Sequence, residues 1–403
     1  MNVWTLSWRY LWSRPLATLL NLLLLTLGLA SMAFVLIAQD QVDRAFERDL
    51  RGIDAVVGAK GSPMQLILAG VFHIDVPPGN IPLDAVKQLQ QHPLVAQVIP
   101  VSLGDNLDGY RIVGTTADYL TLYGASLSQG TLWAGPMEAV LGAQVARTTG
   151  LSTGQAFVGA HGLGRGGALH GATRYRVTGV LAPCGCVLDR LALTATESVW
   201  KVHDDMHASA DMDEEDRAAI EADREVTMAL IRYRSPLAAA SFPRYVNDST
   251  GMQAAAPAVE ITRLLGMVGV GTRVLQGLGV VLLGVAGLSV FIALWGAVRE
   301  RRHDLAMLRL LGAEPAKLGA LLLCEALWLA GLACALGLLA AHGLTALMGT
   351  ALMSQQSLAI SGWQWVDAEW AVPALALGVA LLAALVPVFS AYRVDVTRML
   401  NER

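Results

Sequence analysis

Charge is scarce in this chain, and nearly absent where the chain is most apolar. Asp, Glu, Lys and Arg make up 15% of 403 residues against 54% hydrophobic, which excludes an ordinary soluble protein. Four windows reach the roughly 20 apolar residues that a bilayer crossing needs: Leu16–Ala38, Val274–Ala297, Leu318–Ala341 and Ala371–Ala391. Glu325 is the single charged residue inside them. The first window follows Arg9 and Arg14 as a signal peptide would. Its apolar run exceeds the roughly 7–15 residues of a secretory core, so it reads as an uncleaved span.

Catalytic signatures are also missing. No G-x-x-x-x-G-K-[ST] run occurs, so LSTGQ (Leu151–Gln155) reads as a chance likeness to an ATPase signature. GLGRGG (Gly162–Gly167) has strand-like sequence on both sides. A dinucleotide site needs a helix after its glycines, so this is a hairpin tip. No Ser/His/Asp elbow, zincin motif or Walker pair is present, which weighs against an enzyme, and no internal repeat is seen.

Cysteine is sparse. Cys324 and Cys334 fall in the third span, and Cys184 and Cys186 in APCGCVLDR. For the latter pair, free thiols, a strained redox disulfide and metal ligation all stay open, with the free or strained pair favoured. His203, Asp205 and His207, with Asp204, Asp211 and Asp213 nearby, could ligate a metal. A solvated acidic loop is the favoured reading of VHDDMHASADMDEEDR, and disorder is expected there.

The basic residues sort the loops. Arg9 and Arg14 precede span one, Arg299, Arg301, Arg302, Arg309 and Lys317 lie between spans two and three, and Arg393, Arg398 and Arg403 follow span four. The 348–370 loop has none. Both termini and the charged island are therefore expected in the cytoplasm, with residues 39–272 and the 342–370 loop opposite. Residues 1–15 place Trp4, Trp8 and Trp12 on one helical face, as an interfacial helix would. The 39–272 segment mixes helices and strands without a regular βαβ period. It is expected to be an α+β domain of two subdomains, the inner and β-rich one near 121–198. Within it, MEAVLGAQVARTTG reads as a helix ending at Gly150, and LALTATESVW as a strand.

Residues 298–317 carry five Lys or Arg and three acids between two spans. Leu305, Leu308 and Leu311 recur at i, i+3, i+6, Gly312 supplies a stop, and Pro315 opens the next helix. Leucines with arginines at the rim suit a helical hairpin that docks into a partner's groove. Glu325 belongs in the bundle interior, as packing glue or on a substrate path. The tail 392–403 is cytoplasmic in this reading.

The run VRERRHDLAMLRLLGAEPAKLGALLLCEALWLAGLACALGLLAA resembles the core of FtsX-like permeases of ABC transporters. The matching residues are Arg302, Asp304, Leu305, Met307, Leu308, Arg309, Leu311, Gly312, Ala313 and Glu325. Asp304 stands where that family usually has a glutamate. The plan of one span, a large domain and three spans is similar to the MacB and LolC/LolE branch. That resemblance implies a dimer, as a homodimer or with a related permease, and a separate cytoplasmic ATPase holding ATP and Mg. It also implies a bacterial inner-membrane location, lipid contact, and a periplasmic adaptor or substrate-binding partner. No cofactor and no nucleic acid are expected for this chain. ATPase coupling would fall to Arg302, Leu305, Leu308, Arg309, Leu310 and Gly312. The implied function is mechanotransmission; the alternatives are a signalling subunit acting on a periplasmic cell-wall hydrolase, and a membrane-anchored enzyme using the Cys pair or the His/Asp loop.

Overall fold

The computed structural model describes residues 3–162, 167–207, 223–301, 307, 313–354 and 361–392, with backbone alone for 170–172, 203–207, 268 and 351–354. In chain order the first elements are α1 (Val3–Leu11), α2 (Pro15–Asp49), β1 (Ala55–Ala59), α3 (Pro63–Gly70), β2 (Ile81–Pro82) and α4 (Leu83–Gln91). There follow β3 (Val95–Leu107), β4 (Tyr110–Thr115), α5 (Asp118–Leu122), β5 (Leu127–Gly130), β6 (Glu138–Leu141) and α6 (Ala143–Thr149). Then come β7 (Ala156–His161), β8 (Leu169–Leu181), β9 (Ala192–Ala195), α7 (Thr196–His207), β10 (Glu225–Val226) and β11 (Met228–Tyr233). The last are α8 (Ala238–Ser249), β12 (Met252–Ala255), α9 (Pro257–Glu300), α10 (Pro315–Ser354) and α11 (Ala371–Tyr392).

Two compact units divide the described chain. The helical unit takes α1, most of α2, residues from Met267 of α9, α10 and α11. Four of its helices are long and apolar enough to cross a membrane. In lipid a backbone must satisfy its own hydrogen bonds, so an apolar run of this length becomes a helix. Small residues let the helices close up: Ala286, Ala326, Ala330, Ala333, Ala376, Ala380 and Ala384 sit in the core with Leu29 and Val290. At Gly337 a Cβ would stand 3.1 Å from that of Leu29, so a larger residue there would press α2 and α10 apart by a few tenths of an ångström.

The α/β unit spans Arg44–Gly266. Its main sheet runs β12-β1-β11-β3-β4-β9-β6-β8-β5, with β7 pairing β3 and β8. β3 is long enough to serve both halves: Val95–Val101 pair with β11, and Ser102–Leu107 with β4. A bulge between Leu103 and Asn106 changes its course there. Three apolar clusters pack on this sheet, and two of them share β4 by alternation: Val113 belongs to one, Tyr110 and Ile112 to another.

Three sequence expectations need correction. Residues 138–141 form strand β6 between β8 and β9, and the helix starts only at Ala143. A four-residue apolar run fits either state, and burial on both sides decides for strand. Likewise β9 stops at Ala195 and residues 196–200 begin α7. Residues 202–207, expected as loop, are the last turns of that helix. The remainder of that polar patch, 208–217, lies outside the described residues.

Candidate functional site

The most connected polar site of the helical unit lies where α9 ends. Arg301 follows α9 immediately, and its side chain is only 13% exposed. Its Nη1 donates to Glu325 Oε1 of α10 at 2.9 Å. Its Nη2 donates to the Tyr10 carbonyl at 3.1 Å and to Ser13 Oγ at 2.9 Å. The guanidinium carbon lies 4.2 Å from the centre of the Tyr10 ring, within cation–π range. Arg14 pairs with Glu300 beside it. A carboxylate buried to 4% exposure among apolar helices needs such a cation. Removing one member of a buried pair destabilises by about 3–5 kcal/mol, because the other charge stays behind unpaired.

Aromatic packing fastens α1 to the same place. Trp4 and Trp8 meet the Trp328 ring edge-to-face at 5.7 and 5.0 Å, one turn along α10 from Glu325. Thr18 caps the end of α1 by donating to the Leu11 carbonyl at 2.5 Å. The Trp stripe expected to face lipid headgroups therefore spends Trp4 and Trp8 partly on α10. A small pocket of about 70 Å³ remains among Tyr10, Arg14, Thr18, Asn21, Arg301 and Glu325. One turn deeper, Ser289 of α9 and Asn21 of α2 share a hydrogen bond of 2.6 Å.

A second knot ties the other end of the helical unit. His342 Nδ1 lies 2.8 Å from the Gly362 carbonyl and Nε2 2.9 Å from Glu369 Oε2. Gln41 of α2 closes two hydrogen bonds with the backbone of Ser361. The segment from Ser361 to Trp370 is thus held to α2 and α10, while Trp363 and Trp370 stay exposed.

Of the sequence-selected residues, Arg302, Leu305, Leu308, Arg309, Leu310 and Gly312 lie outside the described residues, whereas Met307 is described and exposed. Glu325 is described, in the contact above. His203, Asp205 and His207 fall on the end of α7, their side chains outside the description. Among the described residues no group of three or more His, Cys, Asp or Glu could hold a metal. Cys184 and Cys186 are joined by a disulfide, and Asp189 accepts the N–H groups of Cys184 and Gly185. Cys324 and Cys334 carry free thiols. Sequence reading took Arg301 only as a loop charge and passed over Tyr10. The signal was there: a lone carboxylate in a span demands a cation near its end, and the charged island supplies one.

Comparison with known families agrees with this plan. Residues 277–396 match the model described as FtsX-like permease C-terminal, and residues 18–232 match the MacB-like periplasmic core domain. The second match covers more than half of the chain, which therefore belongs to the FtsX/MacB-like family of ABC transporter permeases. Among solved structures it is similar to the periplasmic region of MacB from Actinobacillus actinomycetemcomitans, at 12% identity and TM-score 0.35, covering 53% of this chain and 95% of that one. It is also similar to the extracellular domain of the noncanonic ABC-type transporter YknZ from Gram-positive bacteria, at 11% identity and TM-score 0.30, covering 49% of this chain and 97% of that one. Comparison with curated proteins finds no match.

Proposed function

We propose that the chain is a permease subunit that converts the closure of a separate cytoplasmic ATPase into movement of its α/β unit, in a bacterial inner membrane with both termini inside. The buried Arg301–Glu325 contact carries this reading. It fixes the root of the segment 302–312 to α1 and α10, so a push on the leucine ridge reaches the bundle instead of being lost in a loose loop. Few polar side chains are buried along the described spans, in keeping with work done outside the membrane core. Leu305, Leu308 and Leu310 would seat in the ATPase groove, Arg302 and Arg309 at its rim, with Gly312 as the turn. The partner ATPase would hold ATP and Mg, and a second permease copy or relative would complete the complex.

Leu308→Asp tests this. The variant is expected to insert normally yet fail to co-purify with the ATPase or support its turnover. Full co-purification with full ATP turnover would contradict the assignment. An ATPase-coupled complex that moves no substrate but activates a periplasmic hydrolase would point to the signalling alternative.

A further inference from the structure

The Cys184–Cys186 bridge does little as a staple. It joins residues two apart in sequence, so it ties no distant elements together. The loop around it is held by other means. Asp189 accepts the N–H of Cys184 at 3.0 Å and that of Gly185 at 2.7 Å. The Asp189 N–H donates to the Cys186 carbonyl at 3.1 Å, and Asp49 accepts the Val187 N–H at 2.9 Å. Gly185 takes φ 64°, a turn that strains glycine least. None of these contacts runs through the S–S bond, so the loop keeps its shape when that bond opens. Reversible exchange needs such a shared backbone.

The two sulfurs are not equivalent. Cys186 is 7% exposed in an apolar core cluster, whereas Cys184 is half-buried between exposed Pro183 and Gly185. An incoming thiolate therefore meets Cys184 first. The Cys186 N–H donates to Cys184 Sγ at 3.2 Å and favours negative charge on that sulfur. Arg48 lies over the loop, its Nη1 3.2 Å from where a Cβ would stand on Gly185. Asp189 Oδ1 is 3.5 Å from the same Sγ, in position to accept from the thiol once Cys184 is reduced. Cys324 and Cys334 belong to the helical unit, so this pair is the whole thiol chemistry of residues 44–266.

We propose that Cys184 and Cys186 form a thiol–disulfide exchange site that oxidises a peptide or protein bearing two neighbouring thiols. One partner thiolate attacks Cys184 Sγ. A partner–Cys184 disulfide forms, the Cys184–Cys186 bond breaks, and Cys186 leaves with the electron pair and takes the proton that the partner lost. The partner's second thiolate then attacks the partner sulfur of this mixed disulfide. Cys184 leaves with the electron pair, takes up the second proton and donates it in a hydrogen bond to Asp189. The partner has lost two electrons and two protons, and the pair has gained both. A small-molecule disulfide reverses the change and restores the bridge. This activity stands apart from the coupling reading, and its test needs no ATPase.

The test uses the full chain in detergent with Cys324→Ala and Cys334→Ala, so that only this pair reacts. A reduced peptide with two cysteines is the probe, and hydroxyethyl disulfide is the terminal oxidant. Catalytic amounts of the chain are expected to speed peptide oxidation at least about tenfold over the oxidant alone. Cys184→Ser and Cys186→Ser are each expected to abolish that gain while melting within a few degrees of the parent. The lone Cys184 thiol of Cys186→Ser is expected to react with dithiobis(nitrobenzoate) at least about tenfold faster than the lone Cys186 thiol of Cys184→Ser. Should a serine variant fail to fold, the parent chain alone decides, since dithiothreitol is expected to open its bridge without unfolding it. A bridge that opens only in denaturant would overturn the proposal. So would equal reactivity of the two lone thiols, or a bridge that opens in the folded chain without speeding peptide oxidation.

Discussion

The two units treat buried charge in opposite ways. In the helical unit, Glu325 has a cation at 2.9 Å, and that cation has three further contacts on α1 and the turn after it. In the α/β unit, Arg111 is also buried, with an open Nη1. A closed set of contacts fixes position and suits a part that transmits force. An open donor in a buried place leaves part of its desolvation cost unmet. Buried charge is thus fully compensated in one unit and left with one open N–H in the other.

Breaking the closed set is expected to have the largest effect. Arg301→Ala leaves Glu325 unpaired and is expected to destabilise the helical unit by about 3–5 kcal/mol. Arg301→Met with Glu325→Leu removes both charges and is expected to recover most of that stability. Unfolding midpoints of the single and double variants in detergent measure the difference. A double variant as unstable as the single one would show that Arg301 acts mainly through α1.

Buried titratable groups of the α/β unit carry a pH signature of intermediate size. Burial pushes Asp49 up to about 6, against the pull of Arg190. Its folded form therefore holds a proton that the unfolded chain has released, and stability falls as pH rises from about 4 to 6. His73, lowered to about 3, works the other way: its unfolded form gains a proton below about 6.5 that the folded form refuses, so stability falls with falling pH. Between pH 4 and 6 the two slopes oppose each other at about 2–3 kcal/mol apiece. Relative to wild type, Asp49→Asn is expected to lose stability by that amount on acidification, and His73→Gln to gain it. Melting curves at both pH values check the pair; slopes of the same sign would contradict the assignment.

The smallest effect expected is at the disulfide. A bridge that closes so short a ring as Cys184–Cys186 restrains the unfolded chain by roughly 1–2 kcal/mol. Cys184→Ser should accordingly lower the unfolding midpoint by only a few degrees.

The spans were legible because lipid leaves an apolar run no choice but a helix. The helices and strands on either side of Pro93 and along β4 and α5 were legible from periodicity. Glu138–Leu141 and Glu197–Trp200 were not, since short runs take their state from the neighbours that bury them. Glu325 could be picked as a buried acid, but its cation lies 24 positions earlier and was read there as a topology marker. The open Arg111 Nη1 and His73 Nδ1 left no trace in sequence, because an atom's lack of a partner is a property of the folded surroundings alone.

The central claim is that the Arg301 contact passes movement from the ATPase side to the α/β unit. The most direct measurement places an environment-sensitive fluorophore at Leu237→Cys, an 83% exposed position on the α/β unit, with Cys324 and Cys334 replaced by alanine. The complex with its ATPase is reconstituted in nanodiscs and ATP is added. An ATP-dependent signal is expected with Arg301 present, and its loss with Arg301→Ala while the ATPase stays bound. An undiminished signal in the bound Arg301→Ala complex would contradict the account.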